Sequence, residues 1–533
     1  MLLLVRRHAV AIGVVVVVVI ICRYNQHGGH DYGDDFALYI RQARAITHWD
    51  IHQVVSQNEF ALKYSSWHTF SQSIYPWGFP IILAPFYAAA GIDYSLFKLV
   101  EALLFGGFLL LLYGVVNKRT GRLGGVVVMT TIGVSVAFVS WTDTVLSDIP
   151  YLLFAFLSLW LLDRVRMEGG FEADRLWPLI AVGVAAGYGF STRREGAALL
   201  PAVLAAQFAW VAGRWWHRDR GQPFRLRWSR LLTPILSFVG FVGGLRLFLP
   251  TPFFESYPQT GLKQLRANMQ AYGSSLAEQI GLKDPGRNIR GGFNWGFAGS
   301  ASLAKWLFGA IIVLITLGIV VRLLTAFAED ISLFTFIAAT LFIIGIAPFR
   351  DSRYLFSVTP LLVYFAYQGI AGIPTWRRGR SADRGDDGAR RRDGAGTPLI
   401  ATMLASATVG MLMIANASDT AHKTTFRHDF GTYTFDGVAQ PSWQELFSEV
   451  RTVTRPTDVV AFFRARTMVL YTDRNSIQSQ GIETVVQNAD YYAQRKDPTN
   501  YSQAPLDADA AASLGFQKIW ENSQFILWQV PKQ

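Results

Sequence analysis

The chain has 533 residues, 51% of them hydrophobic and only 16% charged, with a formal net charge of +11. That balance is too apolar for a soluble multidomain protein, and a single cysteine, Cys22, leaves no internal disulfide framework. Apolar runs near the ~20 residues that cross ~30 Å of hydrocarbon recur along the chain, so the expected fold class is a polytopic α-helical membrane protein.

The first run begins with Arg6 and Arg7 and continues through Ala9–Ile21. No small-x-small cleavage site follows, and bulky Ile21 stands before Cys22, so an uncleaved signal anchor is predicted. The basic connectors are Arg6–Arg7, Lys118–Arg122, Asp163–Arg175, Arg214–Arg230 and Arg377–Arg392. Short Lys/Arg-rich loops stay in the cytoplasm. Fixing these inside predicts about eleven crossings, near 6–22, 96–116, 124–141, 150–163, 177–192, 197–212, 231–250, 303–324, 331–348, 355–373 and 398–416. The net charge then reads as positive-inside bias and attraction to anionic membrane lipids, not as a nucleic-acid signature. Phe79–Gly91 is apolar but short and interrupted by prolines, so it reads as a re-entrant or interfacial element. Residues 23–95 become one large external loop, and 375–397 a disordered cytoplasmic loop.

The external face collects the unusual residues. The first loop brings Asp31, Asp34 and Asp35 together in DYGDDFALYIRQARAI. Carboxylates that close repel one another and are costly near a bilayer, which marks a functional-site candidate. Later external turns add Asp143 and Asp148, then Arg193, Arg194 and Glu195, then Arg350, Asp351 and Arg353. Arginines against the positive-inside trend ask for an anionic partner, and the planar guanidinium suits phosphate. A sugar on a lipid phosphate fits. Asp34 would take the acceptor proton, with Asp148 a second acidic participant and Asp35 a support. Arg193, Arg194 and Arg353 would hold the phosphate, while Tyr75, Trp77 and Tyr354 line the substrate path, the first two in the aromatic-rich stretch Trp67–Phe79.

On DDFALYIRQARAI, YPWGFPIILAPFY, LSDIPYLLFAFLSLWL, STRREG, RYLFSVTPLL and GFQKIWENSQFILWQV, the chain resembles the GT-C superfamily of integral-membrane glycosyltransferases. It looks most similar to bacterial relatives of protein O-mannosyltransferases and of lipid A aminoarabinose transferase. The resemblance implies a polyprenyl-phosphate sugar donor, inversion at the anomeric centre, and a site on the outer face of a bacterial inner membrane. It implies a catalytic role for Asp34, a second acidic role for Asp148, and donor-phosphate contacts from Arg193 and Arg353. Where the aminoarabinose enzymes carry Lys-Pro-Pro, this chain has Tyr75-Pro76-Trp77-Gly78, which argues against that sugar and against lipid A. The acceptor is left as protein, lipid or glycan, and a divalent cation stays open because only some relatives use one.

Structural readings stand beside these. Asp34 and Asp148 both suit helix N-caps, Asp148 because Pro150 follows closely. Arg193, Arg194 and Glu195 suit a snorkelling group with a local salt bridge, and Arg350, Asp351 and Arg353 a surface cluster. His27, His30, His48, His52 and His68 share the first loop, but neither close pair has a third metal ligand in sequence. Lys283, Arg287 and Arg290 either line an acceptor path or are surface charges.

Residues 418–533 are less apolar and predict a small extracytoplasmic α/β domain. A helix is expected over Trp443–Val453, a buried strand over Asp458–Phe463, and a hairpin of Gln517–Glu521 with Gln524–Val530. No nucleotide-binding glycine motif appears there, consistent with a lipid-linked donor; the domain is expected to cover the site or to select the acceptor. A transporter or flippase for a lipid-linked or anionic substrate is the alternative function, but it predicts mid-membrane charges and paired repeats. A glycan ligase or polymerase of another membrane fold predicts its large external loop late in the chain.

Overall fold

The computed structural model describes residues 2–66, 73–168, 170–172, 175–216, 226–250, 262–280, 301–347, 350–372, 401–410, 417, 437–497 and 503–532. The helices are α1 (Leu2–Tyr24), α2 (Asp35–His48), α3 (Ile51–Tyr64), α4 (Gly78–Ala90), α5 (Tyr94–Gly133), α6 (Val136–Trp141), α7 (Asp148–Met167), α8 (Trp177–Thr192), α9 (Leu199–Trp216), α10 (Trp228–Phe248), α11 (Leu262–Gln279), α12 (Ala301–Ile346), α13 (Thr359–Ala371) and α14 (Ala401–Gly410). Four helical segments among the described residues are long and apolar enough to cross a membrane: Tyr94–Gly133, Arg194–Trp216, Trp228–Phe248 and Trp306–Ile346.

The two longest runs are each broken within. In α5 the break is Gly121, at φ 77°, a region open to glycine at little cost. The chain folds back there, so Gly133 returns to Leu109 and Gly125 to Tyr113. The break lies inside the basic connector Lys118–Arg122. In α12 it is Ala326, and Arg322 and Asp330 pair across the bend. Without a hydrophobic drive between helices in lipid, close backbone approach at small residues supplies the packing. Gly318 of α12 lies against the Phe365 carbonyl of α13, and Gly369 of α13 against the Leu314 carbonyl of α12, so a side chain at either would clash.

The short apolar run expected over Phe79–Gly91 is α4, which lies between α1 and α5 in the chain. It packs on α2 and α8. Gly78, at its start, sits against the end of α8: a Cβ there would meet the Thr192 hydroxyl and lie 2.7 Å from the Ser191 carbonyl oxygen. Tyr188 of α8 donates to the Gly78 carbonyl at 2.9 Å.

Helix α7 joins two ionic clusters. It begins at Asp148 and carries Asp163 about four turns on, roughly 22 Å along the axis. At the Asp163 end, Arg119 of α5 donates to Asp163 and to Asp330 of α12, the latter at 2.6 Å. Arg322 and the Tyr364 hydroxyl also reach Asp330, at 2.6 and 2.9 Å. Buried charges are tolerated only when paired in this way.

The C-terminal region adds α15 (Pro441–Val453), β1 (Val459–Ala461), α16 (Ala465–Thr472), β2 (Asn475–Ile477), α17 (Ile482–Asn488), β3 (Tyr491–Arg495), α18 (Ala508–Ser513), β4 (Gln517–Glu521) and β5 (Phe525–Gln529). The sheet runs β2-β1-β3-β5-β4, with β1 parallel to both its neighbours and β5 antiparallel to β3 and β4. This region does not stand alone. Trp443, Phe447, Phe462, Met468 and Phe525 share one apolar core with Phe36, Tyr39, Ile40, Phe79 and Phe97 from the first loop and the start of α5. His30 bridges to Gly437, and Arg44 pairs with Asp473 at 2.9 Å.

Candidate active site

A cavity of about 280 Å³ opens where the first loop, the starts of α7 and α13, and the ends of α8 and α12 meet. Its lining is mixed: Asp35, Tyr39, Tyr75, Ser147, Thr192, Arg193, Arg194, Glu195, Arg353 and Tyr354 are polar, and Pro76, Ile343, Ile344 and Ala347 are apolar. Charged and aliphatic side chains in one cavity suit an amphiphile with an anionic head.

Asp35 opens α2, and its carboxylate stands on the cavity at 34% exposure. Its Oδ1 accepts from the Tyr75 hydroxyl at 2.6 Å and from Arg466 at 3.2 Å; its Oδ2 lies 3.7 Å from Arg353. Burial would raise this carboxyl, but Arg353, Arg466 and the Tyr75 hydroxyl outweigh it and hold it below the ordinary range. Asp35 is therefore a carboxylate at neutral pH.

Asp34, expected as the base, is turned elsewhere. It holds the N-cap position of α2 but makes no side-chain bond to that helix. Its carboxylate instead accepts the Arg466 and Thr467 amides, each at 2.9 Å, and the Thr467 hydroxyl at 2.5 Å. It thus caps α16, whose own N-cap residue, Arg464, supplies no side-chain acceptor. Burial pushes the Asp34 carboxyl up despite Arg466 and Thr467, which would favour it as a base; geometry argues against, because its oxygens are taken and it does not line the cavity. Asp31 accepts from Arg464 through its carbonyl at 2.6 Å.

Asp148 is the first residue of α7, with Ser147 at the N-cap. It is 3% exposed and stands between two guanidiniums: its Oδ1 is 2.5 Å from Arg193, its Oδ2 3.6 Å from Arg353. Glu195 takes the other side of Arg193 at 2.8 Å. Arg353 also lies 3.1 Å from Asp351, whose carboxylate accepts the Tyr32 hydroxyl. Tyr354 packs beside both guanidiniums, at 5.3 and 5.6 Å from its ring centre. The two cations are thus fixed before any ligand arrives.

Of the nine residues named from sequence, Asp35, Arg193, Arg194, Arg353, Tyr75 and Tyr354 line this cavity. Asp148 lies just beneath it, on a smaller cavity with Tyr151, Phe356 and Ser357. Trp77 does not line it: the side chain is fully buried, and its indole N–H donates to the Pro250 carbonyl at 2.7 Å. Asp143 belongs to another knot, paired with Lys98 at 2.7 Å and His27 at 2.5 Å. Arg350 turns to Asn268 at 2.5 Å. Sequence reasoning missed Arg466; the signal available was a pair of arginines, Arg464 and Arg466, inside the apolar run VVAFFRARTMVLY.

A divalent ion does not fit between the two carboxylates. The Arg353 guanidinium lies between Asp35 and Asp148, and it supplies the positive charge that an ion would bring. His30 is buried and stacked on Phe36, and no group of three or more His, Cys, Asp or Glu among the described residues can hold a metal. His68, Lys283, Arg287, Arg290 and Arg377–Arg392 lie outside the described residues.

Comparison with known proteins bears on the fold. Residues 76–224 match the family described as dolichyl-phosphate-mannose-protein mannosyltransferase. No curated protein matches the chain in sequence. The archaeal oligosaccharyltransferase AglB from Archaeoglobus fulgidus, in complex with an inhibitory peptide and a dolichol-phosphate, superposes with a TM-score of 0.51 at 13% identity, over 92% of this chain and 70% of that one. An Archaeoglobus fulgidus oligosaccharyltransferase in complex with Zn and sulfate gives 0.51 at 11% identity, over 90% of this chain and 68% of that one. ArnT from Cupriavidus metallidurans bound to undecaprenyl phosphate gives 0.49 at 11% identity, over 99% of this chain and 100% of that one. The resemblance to GT-C membrane glycosyltransferases read from the sequence is thus matched by the fold across nine-tenths of the chain, and by the mannosyltransferase family over residues 76–224.

Proposed function

We propose that this chain transfers a sugar from a polyprenyl-phosphate donor to a hydroxyl acceptor, at the extracytoplasmic face of a bacterial inner membrane that it crosses about eleven times. The observation that carries the reading is one cavity lined by a carboxylate, Asp35, by the guanidiniums of Arg193 and Arg353, and by the aliphatic side chains of Ile343 and Ile344. The dolichol-phosphate in the archaeal neighbour supports a lipid-phosphate donor. Its bound peptide and the description of the matching family support a protein acceptor.

Asp35 rather than Asp34 acts as the base. It takes the proton of the acceptor hydroxyl as that oxygen bonds to the anomeric carbon. The bond from that carbon to the phosphate oxygen breaks, and displacement from the opposite face inverts the centre. The departing lipid phosphate gains charge, which Arg193 and Arg353 stabilise, with Arg194 beside them. Asp148 touches no substrate in this scheme; it holds the two guanidiniums at fixed spacing. Tyr75 and Tyr354 line the sugar and phosphate path, and Trp77 supports the loop from within. No step passes through a metal ion.

The test compares Asp35→Asn and Asp34→Asn, with mass spectrometry of cell-envelope glycoproteins and glycans. Asp35→Asn is expected to lower transfer by about 10²-fold or more with membrane insertion intact. Normal turnover by that variant would sink the reading.

A further inference from the structure

The C-terminal region reaches into the cavity wall. Arg466 is 2% exposed and sits on α16, over 400 residues from Asp35 in sequence. One of its nitrogens contacts Asp35 at 3.2 Å and the Tyr75 hydroxyl at 2.8 Å, while its Nε donates to Asn58 of α3 at 3.2 Å. Three residues of the first loop thereby share one guanidinium. The ring of Tyr75 also packs beside it, 5.0 Å from the guanidinium carbon.

The docking that brings Arg466 there runs through its own neighbours in sequence. The amides of Arg466 and Thr467 are the ones that Asp34 accepts. A helix N-terminus carries unsatisfied amides and partial positive charge, so a carboxylate in that position both caps the helix and fixes its direction. Asp34 is therefore the dock and Arg466 the part delivered. The delivered charge bears on only one oxygen of Asp35: Oδ1 is taken by Arg466 and Tyr75, which leaves Oδ2 toward Arg353 and the cavity.

We propose that the C-terminal region completes the catalytic site, with Arg466 as a positioning residue that fixes which oxygen of Asp35 serves as the base. This rests on the glycosyltransferase reading above for its kinetic consequence, but not for its geometry. The chemistry follows from the contacts. A carboxylate with both oxygens loose rotates and samples unproductive directions. Pinned on one side by a charge-assisted bond, it presents the other oxygen steadily. Because Arg466 comes from the C-terminal region, activity is also conditional on the packing of that region against the first loop, so a chain whose C-terminal sheet has not formed stays inert toward acceptors.

Two readouts test this on the full chain. The first needs no substrate: carbodiimide modification of Asp35 across the acid range, followed by mass spectrometry, reports when that carboxyl gains its proton. Arg466→Ala is expected to move the modification to higher pH, Arg466→Lys to restore it in part, and Thr467→Val to lower thermal stability while leaving the modification pH unmoved. The second is kinetic: Arg466→Ala is expected to lower kcat by about tenfold or more, with the donor KM within about twofold of wild type. If Arg466→Ala does not fold, Arg466→Lys and Tyr75→Phe carry the test, since each weakens the grip on Oδ1 while keeping the bulk of its side chain. An Asp35 modification profile unmoved in all of these would overturn the proposal. A wild type that transfers no lipid-linked sugar, yet shows the shifted profile in the variants, would overturn the function and leave the positioning role standing.

Discussion

Asp34 and Asp35 are adjacent in the chain but serve different parts of the molecule: Asp34 accepts two amides of α16 at 2.9 Å, while Asp35 stands on the cavity 3.7 Å from Arg353. A helix turns about 100° per residue, so neighbours at its start point to different sides. The pair joins the docking of one region to the chemistry of another within two residues.

Acid sensitivity follows from the field around Asp35. Its carboxyl is held below the ordinary value of about 3.9. A depressed carboxyl contributes stability that is present above the unfolded value and lost as pH falls through the folded one. A donor phosphate on Arg353 and Arg193 cancels part of the positive charge that holds Asp35 down. The acid limb of kcat is therefore expected at higher pH than that of kcat/KM for the donor. Coincident limbs in the two pH profiles would count against a phosphate seated on these arginines.

Arg353 is expected to matter for donor affinity. It faces the cavity beside Asp35 and Asp148, and a charge-assisted bond to phosphate contributes about 1.5–3 kcal/mol. Arg353→Ala should raise the donor KM by about 10- to 100-fold, whereas Arg377→Ala, in a basic connector, should leave it unchanged. Steady-state kinetics with a lipid-linked sugar decide it; equal effects would undo the phosphate role.

The far ionic cluster is expected to act on stability rather than catalysis. Arg119 is 1% exposed and bonds both Asp163 and Asp330. Arg119→Ala removes the cation they share, a loss worth about 3–5 kcal/mol in buried pairs. Thermal unfolding in detergent should show a lower midpoint, with donor KM unaltered in the protein that remains folded.

The membrane orientation has its own test. Gln53 is exposed on α3, near the Asp35 side, and Glu168 follows the far end of α7. Cysteines placed singly at these positions should be labelled by an impermeant thiol reagent from opposite sides, while native Cys22 is buried and should not react. Labelling from one side alone would refute the arrangement.

Much of the helical framework was legible because apolar runs and their breaks are local signals. Helix α8 occupies 177–192 as expected, bounded by Pro178 at its start and Arg193 at its end. The fold-back at Gly121 falls within the expected basic connector, and α15 covers Trp443–Val453. The terminal hairpin turns at Asn522 as the pattern suggested. The site was legible as a list of charged residues at run ends, since a charge beside a bilayer demands a reason. Which of two adjacent aspartates faces the cavity was not, because helix phase relative to a neighbour is set by tertiary packing. Arg466 was hidden for the same reason: nothing near it in sequence reports a partner on the first loop. Trp77 read as part of a substrate wall by its aromatic neighbours, yet the Pro250 carbonyl draws its N–H inward.

Gly78 opens α4 directly after Tyr75, Pro76 and Trp77, and it presses on Ser191 and Thr192 just before Arg193. The two flanks of the cavity therefore meet at a point where no side chain intervenes. A single added methyl there would act as a wedge, prising the tyrosine flank from the arginine flank and widening the mouth between them. The closeness of the two flanks depends on a carbon atom that this residue lacks.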